Sequence, residues 1–156
     1  MSNNKSSVKN SVKDTNKSAY VHFYPITTRW MDNDIFGHVN NVNYYSFFDT
    51  IVNQFLIENA GFEPSTSEQI GFIVSSQCQY LHSLAYPEKL LGAVRINKVG
   101  NSSVEYGVAI FKENSDTAAA TGQLTHVFVN RKTEKPTPIN DSMRKAMQAA
   151  MLENNS

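Results

Sequence analysis

Residues 43–58 read NYYSFFDTIVNQFLIE, and this stretch dictates how the rest of the chain has to fold. Tyr44, Phe47, Phe48, Ile51, Val52, Phe55 and Leu56 recur at intervals that form one continuous stripe on a 3.6-residue helix. Asn53 falls near the opposite side, and Tyr45 and Asp49 lie on the flank of the stripe. Gly61 follows as a residue able to take the left-handed conformation that ends helices. So broad an aromatic stripe needs a large apolar partner, most simply a sheet that curls around the helix.

The flanking segments supply that sheet. Residues 20–30 are rich in aromatic and β-branched side chains and read as a strand. After the helix, residues 70–84 read as one long or bent strand, 89–98 as a second, 104–111 as a third and 117–129 as the last. Gly100–Asn101 and Asn114–Ser115–Asp116 mark turns, and short turns between consecutive strands predict an antiparallel meander. Pro136 and Pro138 precede a short helix over 141–152, capped by Asn140 or Asp141. The order is β-α-β-β-β-β(-α), an α+β domain with one long helix inserted after its first strand.

Composition narrows the function classes. With 156 residues, 40% hydrophobic and 18% charged, the chain reads as one soluble globular domain. A single cysteine, Cys78, excludes an internal disulfide framework and a multi-thiolate zinc site. A formal net charge of 0 offers no polyanion-binding surface, so no nucleic-acid partner is expected. No apolar run approaches the ~18 residues of a membrane span. Lacking also the apolar core of a secretory signal, the sequence predicts a cytoplasmic protein. Residues 1–18 contain two valines and no aromatic residue among many Ser, Asn and Lys. They predict a disordered tail ahead of a single domain over 19–153, and its removal is expected to leave stability unchanged.

Chemistry concentrates in residues 32–41, DNDIFGHVNN, which pack two carboxylates, an imidazole and three amides directly before the long helix. A helix N-terminus presents unpaired N–H groups and about +0.5 charge, suited to polarising a carbonyl or holding an oxyanion. A carboxylate at that point can act as nucleophile or as general base toward the carbonyl carbon. Equally, the stretch reads as a capped loop, with Asn40 or Asn41 capping the helix and Asp34 pairing with His38. Other candidates carry less. Cys78 has no basic neighbour in sequence and reads as a structural thiol. His22, His82 and His126 stand isolated on strands without ligand spacing, so no metal site is expected.

The stretch resembles the hotdog-fold thioesterases of the 4-hydroxybenzoyl-CoA thioesterase superfamily, in particular the acyl-CoA thioesterase branch. That branch has the pattern D-x-D-x-x-G-H-V-N-N-x-x-Y, met here by Asp32, Asp34, Gly37, His38, Val39, Asn40, Asn41 and Tyr44. The similarity runs from about residue 20 to 152 and takes in Gln79-Tyr80-Leu81-His82-Ser83 and the turn from Lys98 to Ser103. It implies a hotdog fold, a curved antiparallel sheet wrapped around one long central helix. It also implies a catalytic set of Asp34, as general base or nucleophile, His38, and Asn41, whose backbone N–H polarises the thioester carbonyl. Asn40, Tyr44, Asp49 and Lys98 match substrate-binding positions, and Asp32 a loop-holding one. The plant acyl-carrier-protein thioesterases carry an asparagine where this chain has Phe36, so their full catalytic arrangement is not reproduced.

The implied reaction is hydrolysis of an acyl-CoA to free acid and CoA, without a cofactor, since coenzyme A is part of the substrate. Alternatives are an acyl-carrier-protein thioesterase, an enoyl-CoA hydratase-like enzyme and a non-catalytic acyl-binding hotdog protein. Family members join their edge strands across subunits, which implies a homodimer or homotetramer.

Overall fold

The long helix forms as the stripe requires. In the computed structural model, which describes residues 14–152, α1 spans Asn41–Asn59 and buries Tyr44, Phe47, Phe48, Ile51, Val52, Phe55 and Leu56. Around it run β1 (His22–Thr27), β2 (Gln69–Tyr80), β3 (Lys89–Val99), β4 (Ser103–Lys112) and β5 (Ala120–Asn130), and α2 (Asp141–Ala149) follows. The Asn140 side chain caps α2 by accepting the Met143 N–H. The strands make one sheet, ordered β1-β3-β4-β5-β2, with every pairing antiparallel. A curved antiparallel sheet around one long helix is the hotdog fold that the resemblance implied.

The meander holds only for β3-β4-β5. β2 pairs with β5 at the far edge and not with β3, its successor in sequence. At about 1.5 Å per residue, a 19-residue helix is roughly 28 Å long. That is enough to carry the chain across the sheet, over β1, β3, β4 and β2, to where β5 has a free edge. Several boundaries also differ from the sequence reading: β5 begins at Ala120 rather than 117, and α2 ends at Ala149 rather than 152. β2 stops at Tyr80 because the Leu81 and His82 N–H groups both turn onto the Ala119 carbonyl, at 2.9 and 3.0 Å. His82 therefore lies just beyond the strand. β1 is confined to His22–Thr27, since Trp30 enters a 3-10 turn over Trp30–Asp32.

Helix and sheet approach closely enough to require glycine. A Cβ on Gly92 would overlap Ile51 and Ile26, and one on Gly122 would overlap Phe48. Each fully buried large apolar side chain contributes about 1.5–3 kcal/mol, so this seam is the main source of stability. At the other end of the sheet the inner face holds a polar pair. His126, 2% exposed, sits over Gly71, where a Cβ would lie 2.6 Å from its Nδ1. The same nitrogen is 3.1 Å from the buried Tyr106 hydroxyl. Burial lowers the His126 pKa from 6.5 to about 4.

The tail expectation needs correction. Residues 14–18 are not a free tail: they dock, with Ala19 and Tyr20, on the outer face of the sheet. Asp14 pairs with Arg95 at 2.8 Å, the Arg95 guanidinium lies 5.0 Å from the Tyr20 ring centroid, and the Tyr20 hydroxyl donates to the Asp14 carbonyl. The Ala118 N–H donates to the Thr15 carbonyl at 2.8 Å, and Asn16 bridges to Thr117. Composition missed this because the anchor is one ion pair and one backbone register rather than apolar bulk. Arg95 extends the contact inward through Asn97, Glu105, Gln123 and Gln77, a hydrogen-bonded belt across β3, β4, β5 and β2. Residues 1–13 lie outside the described residues.

Two outcomes are expected. Deleting residues 1–18 should remove about 2 kcal/mol and lower the melting temperature by about 4–8 °C, measured by calorimetry. An unchanged melting temperature would show that the docked segment contributes nothing. Separately, folded His126 binds fewer protons than unfolded His126 between pH 6.5 and about 4. Its contribution is therefore full above pH 6.5 and is lost on acidification toward pH 4, at up to ~1.4 kcal/mol per pH unit. Urea unfolding at pH 7 and pH 5 should show this loss in the wild type and a smaller one in His126→Gln.

Candidate active site

The loop between β1 and α1 is built around two aspartates that do different things. Asp32 is 1% exposed. Its carboxylate accepts the Arg29 backbone N–H at 2.7 Å and the Arg29 guanidinium at 2.9 Å, closing the 3-10 turn. Its carbonyl accepts the Asn40 N–H at 2.9 Å and the Asn43 side-chain amide at 3.0 Å, tying the turn to the first turn of α1. Asp32 thus holds the loop, the role the resemblance gave it.

Asp34 is two residues on and only half-buried. Its N–H donates to the His38 carbonyl at 2.8 Å, and its carbonyl accepts the Gly37 N–H at 3.1 Å. Gly37 has φ 80°, a left-handed conformation that explains glycine at this position. Asp34 Oδ1 accepts the Phe36 N–H at 2.9 Å and the His38 N–H at 3.5 Å. Among the described residues, no donor reaches Oδ2. The side chains of Asp34 and His38 do not pair, so the link between them is through backbone groups.

The loop is clamped on its other side by the segment after β2. Val39 N–H donates to the Leu84 carbonyl at 2.7 Å, and the Asn33 side chain accepts the Tyr86 N–H at 3.0 Å. Asn40 caps α1, its Oδ1 accepting the Val42 N–H at 3.1 Å. Asn41 is the first residue of the helix, and its N–H meets no acceptor among the described residues. Its carbonyl accepts the Tyr80 hydroxyl at 3.3 Å.

Asp34, His38, Asn41 and Tyr44 line one cavity of about 370 Å³, with Phe36, Val39, Tyr80, Leu81, His82 and Ser83. Tyr44 forms its inner wall, edge-on to Tyr80 at 4.9 Å between centroids, and burial pushes the Tyr44 phenol up so that it stays protonated. Three expected substrate-binding residues fall outside this group. Asn40 caps the helix. Asp49 lies two turns along α1, exposed, accepting from the Asn53 amide. Lys98 stands near the C-terminal end of β3, opposite Glu105, away from the loop. Conversely, Tyr80, Leu81, His82, Ser83 and Phe36 line the cavity without being among the expected site residues. The available signal was the run Tyr80-Leu81-His82-Ser83 at the end of the strand that follows the helix. Cys78 is half-buried on β2, and its thiol is raised by burial, which disfavours the thiolate.

A free carboxylate oxygen and an unpaired helix N–H facing one aromatic-walled cavity can activate a nucleophile at a carbonyl and hold the resulting oxyanion. The family model for the thioesterase-like superfamily matches residues 28–147. The PA5185 protein of Pseudomonas aeruginosa strain PAO1 is 46% identical, with a TM-score of 0.86 over 88% of this chain and 96% of that one. The gentisyl-coenzyme A thioesterase BH1999 is 25% identical, with a TM-score of 0.72 over 81% and 99%. The YsmA protein of Bacillus subtilis strain 168 is 24% identical over 132 residues, 84% of this chain and 88% of its own. The chain belongs to the thioesterase-like superfamily and is a thioester hydrolase.

Proposed function

We propose that the enzyme hydrolyses acyl-CoA thioesters, with Asp34 as the reacting carboxylate and the Asn41 N–H as oxyanion donor. The observation that carries this reading is the pairing of Asp34 Oδ2, free of donors among the described residues, with the unpaired Asn41 N–H in one cavity. In the general-base form, Asp34 takes a proton from water as the water oxygen bonds to the thioester carbon. The carbonyl π pair moves to oxygen, where the Asn41 N–H and the helix dipole stabilise it. Collapse expels the thiolate, which is protonated, leaving acid and thiol. In the nucleophilic form Asp34 itself bonds to the carbon, the C–S bond breaks and the thiolate leaves with a proton from solvent, and water then cleaves the mixed anhydride to free acid and the Asp34 carboxylate. Tyr44, Phe36 and Tyr80 provide an apolar wall for the acyl group, and the exposed His38 lines the same cavity.

The sheet edges bear on assembly. The two sheet edges differ: β1 carries Pro25, which has no N–H to pair, whereas β2 presents twelve residues and exposed Phe72, Ile73 and Val74. A second copy pairing along β2 would border the Asp34 cavity, which lies where that strand ends at Tyr80. We propose a homodimer or a dimer of such dimers, and a monomeric mass by light scattering at micromolar concentration would exclude it.

Thiol release from a panel of acyl-CoAs tests the activity. Asp34→Asn should lower kcat by about 10²–10⁴-fold and leave KM within a few-fold. Asp32→Asn should chiefly lower the melting temperature, because it weakens charge-assisted bonds that organise the loop. Full activity in a folded Asp34→Asn protein would refute the mechanism. Ultraviolet loss at the enoyl band without thiol release would instead mark a hydratase.

A further inference from the structure

Expulsion of the thiol needs a proton. When Asp34 bonds to the thioester carbon, the adduct can expel either the Asp34 carboxylate or the substrate thiolate. A carboxylate is a much weaker base than an alkyl thiolate, so the adduct reverts unless the sulfur is protonated as it leaves. The tetrahedral carbon has four substituents, and three of them already have a side of the cavity. The oxyanion lies at Asn41, the new bond at Asp34, and the acyl group against Phe36, Tyr44 and Tyr80. Of the remaining lining, His38 and Val39 belong to the loop that carries Asp34, so the sulfur faces Leu81, His82 and Ser83.

We propose that the His82 imidazolium supplies this proton in place of solvent, which makes His82 a second catalytic residue across the cavity from Asp34. This rests on the hydrolase reading above, in its nucleophilic form. The backbone of His82 is fixed from two sides. The Leu81 and His82 N–H groups bond the Ala119 carbonyl at 2.9 and 3.0 Å, and the buried Leu84 accepts the Val39 N–H of the loop at 2.7 Å. Its side chain, by contrast, is exposed and has no hydrogen-bond partner among the described residues. An imidazole both holds and releases a proton near neutral pH, which is what an acid in a turning-over site requires.

The other donors nearby are poorer acids or lie on the wrong side. Burial pushes the Tyr44 phenol up and the Tyr80 phenol to about 12, so both keep their protons. The Ser83 hydroxyl is a weaker acid still. His38 is bonded to Asp34 through its own N–H and carbonyl, so it stands with the nucleophile and not with the leaving group. Lys112 belongs to an adjoining cavity of about 390 Å³ that begins at His82 and Ser83, and its ammonium is paired with Glu88 at 3.2 Å. With His82 in place the atoms balance. The C–S electron pair goes to sulfur, which takes the imidazolium proton and leaves as thiol. The neutral imidazole then takes a proton from the water that cleaves the anhydride, releasing free acid and restoring the Asp34 carboxylate and the imidazolium.

Two thioesters of one acyl group isolate this step, read as thiol release in a single turnover, before the anhydride is hydrolysed. The coenzyme A ester must expel an alkyl thiol. The para-nitrothiophenyl ester expels a thiol that is already ionised at neutral pH and departs without a proton. His82→Gln should slow release from the coenzyme A ester at least about tenfold and from the aryl ester by no more than about twofold, with the melting temperature unchanged. Asp34→Asn should slow both. An equal loss on the two esters, no loss on the coenzyme A ester, or the same split in His38→Gln instead would overturn the assignment. Should Asp34→Asn stay fully active while His82→Gln shows the split, the Asp34 reading falls and His82 keeps its role. A wild type that cleaves neither ester removes both.

Discussion

Everything in this protein is referenced to the seam where α1 lies on the sheet. At Gly92 and Gly122 there is no room for even a methyl group between backbone and helix, so Ile51 and Phe48 rest directly on the strands. Interiors packed to this density resist small displacements, because a gap of half an ångström already loses part of each contact. The helix axis is thereby fixed relative to β3 and β5. Its N-terminus is fixed with it, and so is the Asn41 N–H, about three turns from Ile51.

The loop ahead of that N-terminus then has to meet a rigid target, and the two aspartates divide the work. Asp32 is buried and bonded to Arg29, while its carbonyl binds Asn40 and Asn43, so its position follows the helix. A carboxylate so enclosed has no face left for a substrate. The Asp34 carboxylate is held by one oxygen only, and the loop turns back at Gly37 so that Asp34 and Asn41 share a cavity. One carboxylate stabilises the loop; the other is presented by it.

The sheet edges show the same economy of placement. Pro25 blunts β1, and the Asp14–Arg95 pair closes the outer face with residues that look unremarkable in sequence. β2 is left as the long unpaired edge, and it ends at the cavity. The segment beyond it, Leu81 to Leu84, serves three neighbours at once. It bonds to Ala119, accepts Val39 of the loop, and lines the Asp34 cavity.

The sequence alone determined the elements whose signal is local. The α1 stripe, all seven residues of which are buried, needs only the 3.6-residue period. The caps at Asn40 and Asn140, and the turns between β3, β4 and β5, are also set within a few residues. The Asp34–His38–Asn41–Tyr44 set, which the family resemblance pointed to, falls within a single loop and the helix turns that follow it, so the fold keeps it together. What tertiary structure decided has no local trace. The pairing of β2 with β5, the docking of residues 14–18 and the displacement of Lys98 from the loop each depend on where the helix delivers the chain. So does the arrival of Tyr80, His82 and Ser83 beside Asp34, from a strand about forty residues away. Side-chain periodicity records which face of an element is buried, but not which distant edge it meets. That choice is made by the length of α1 and by the two glycines that let it lie against the sheet.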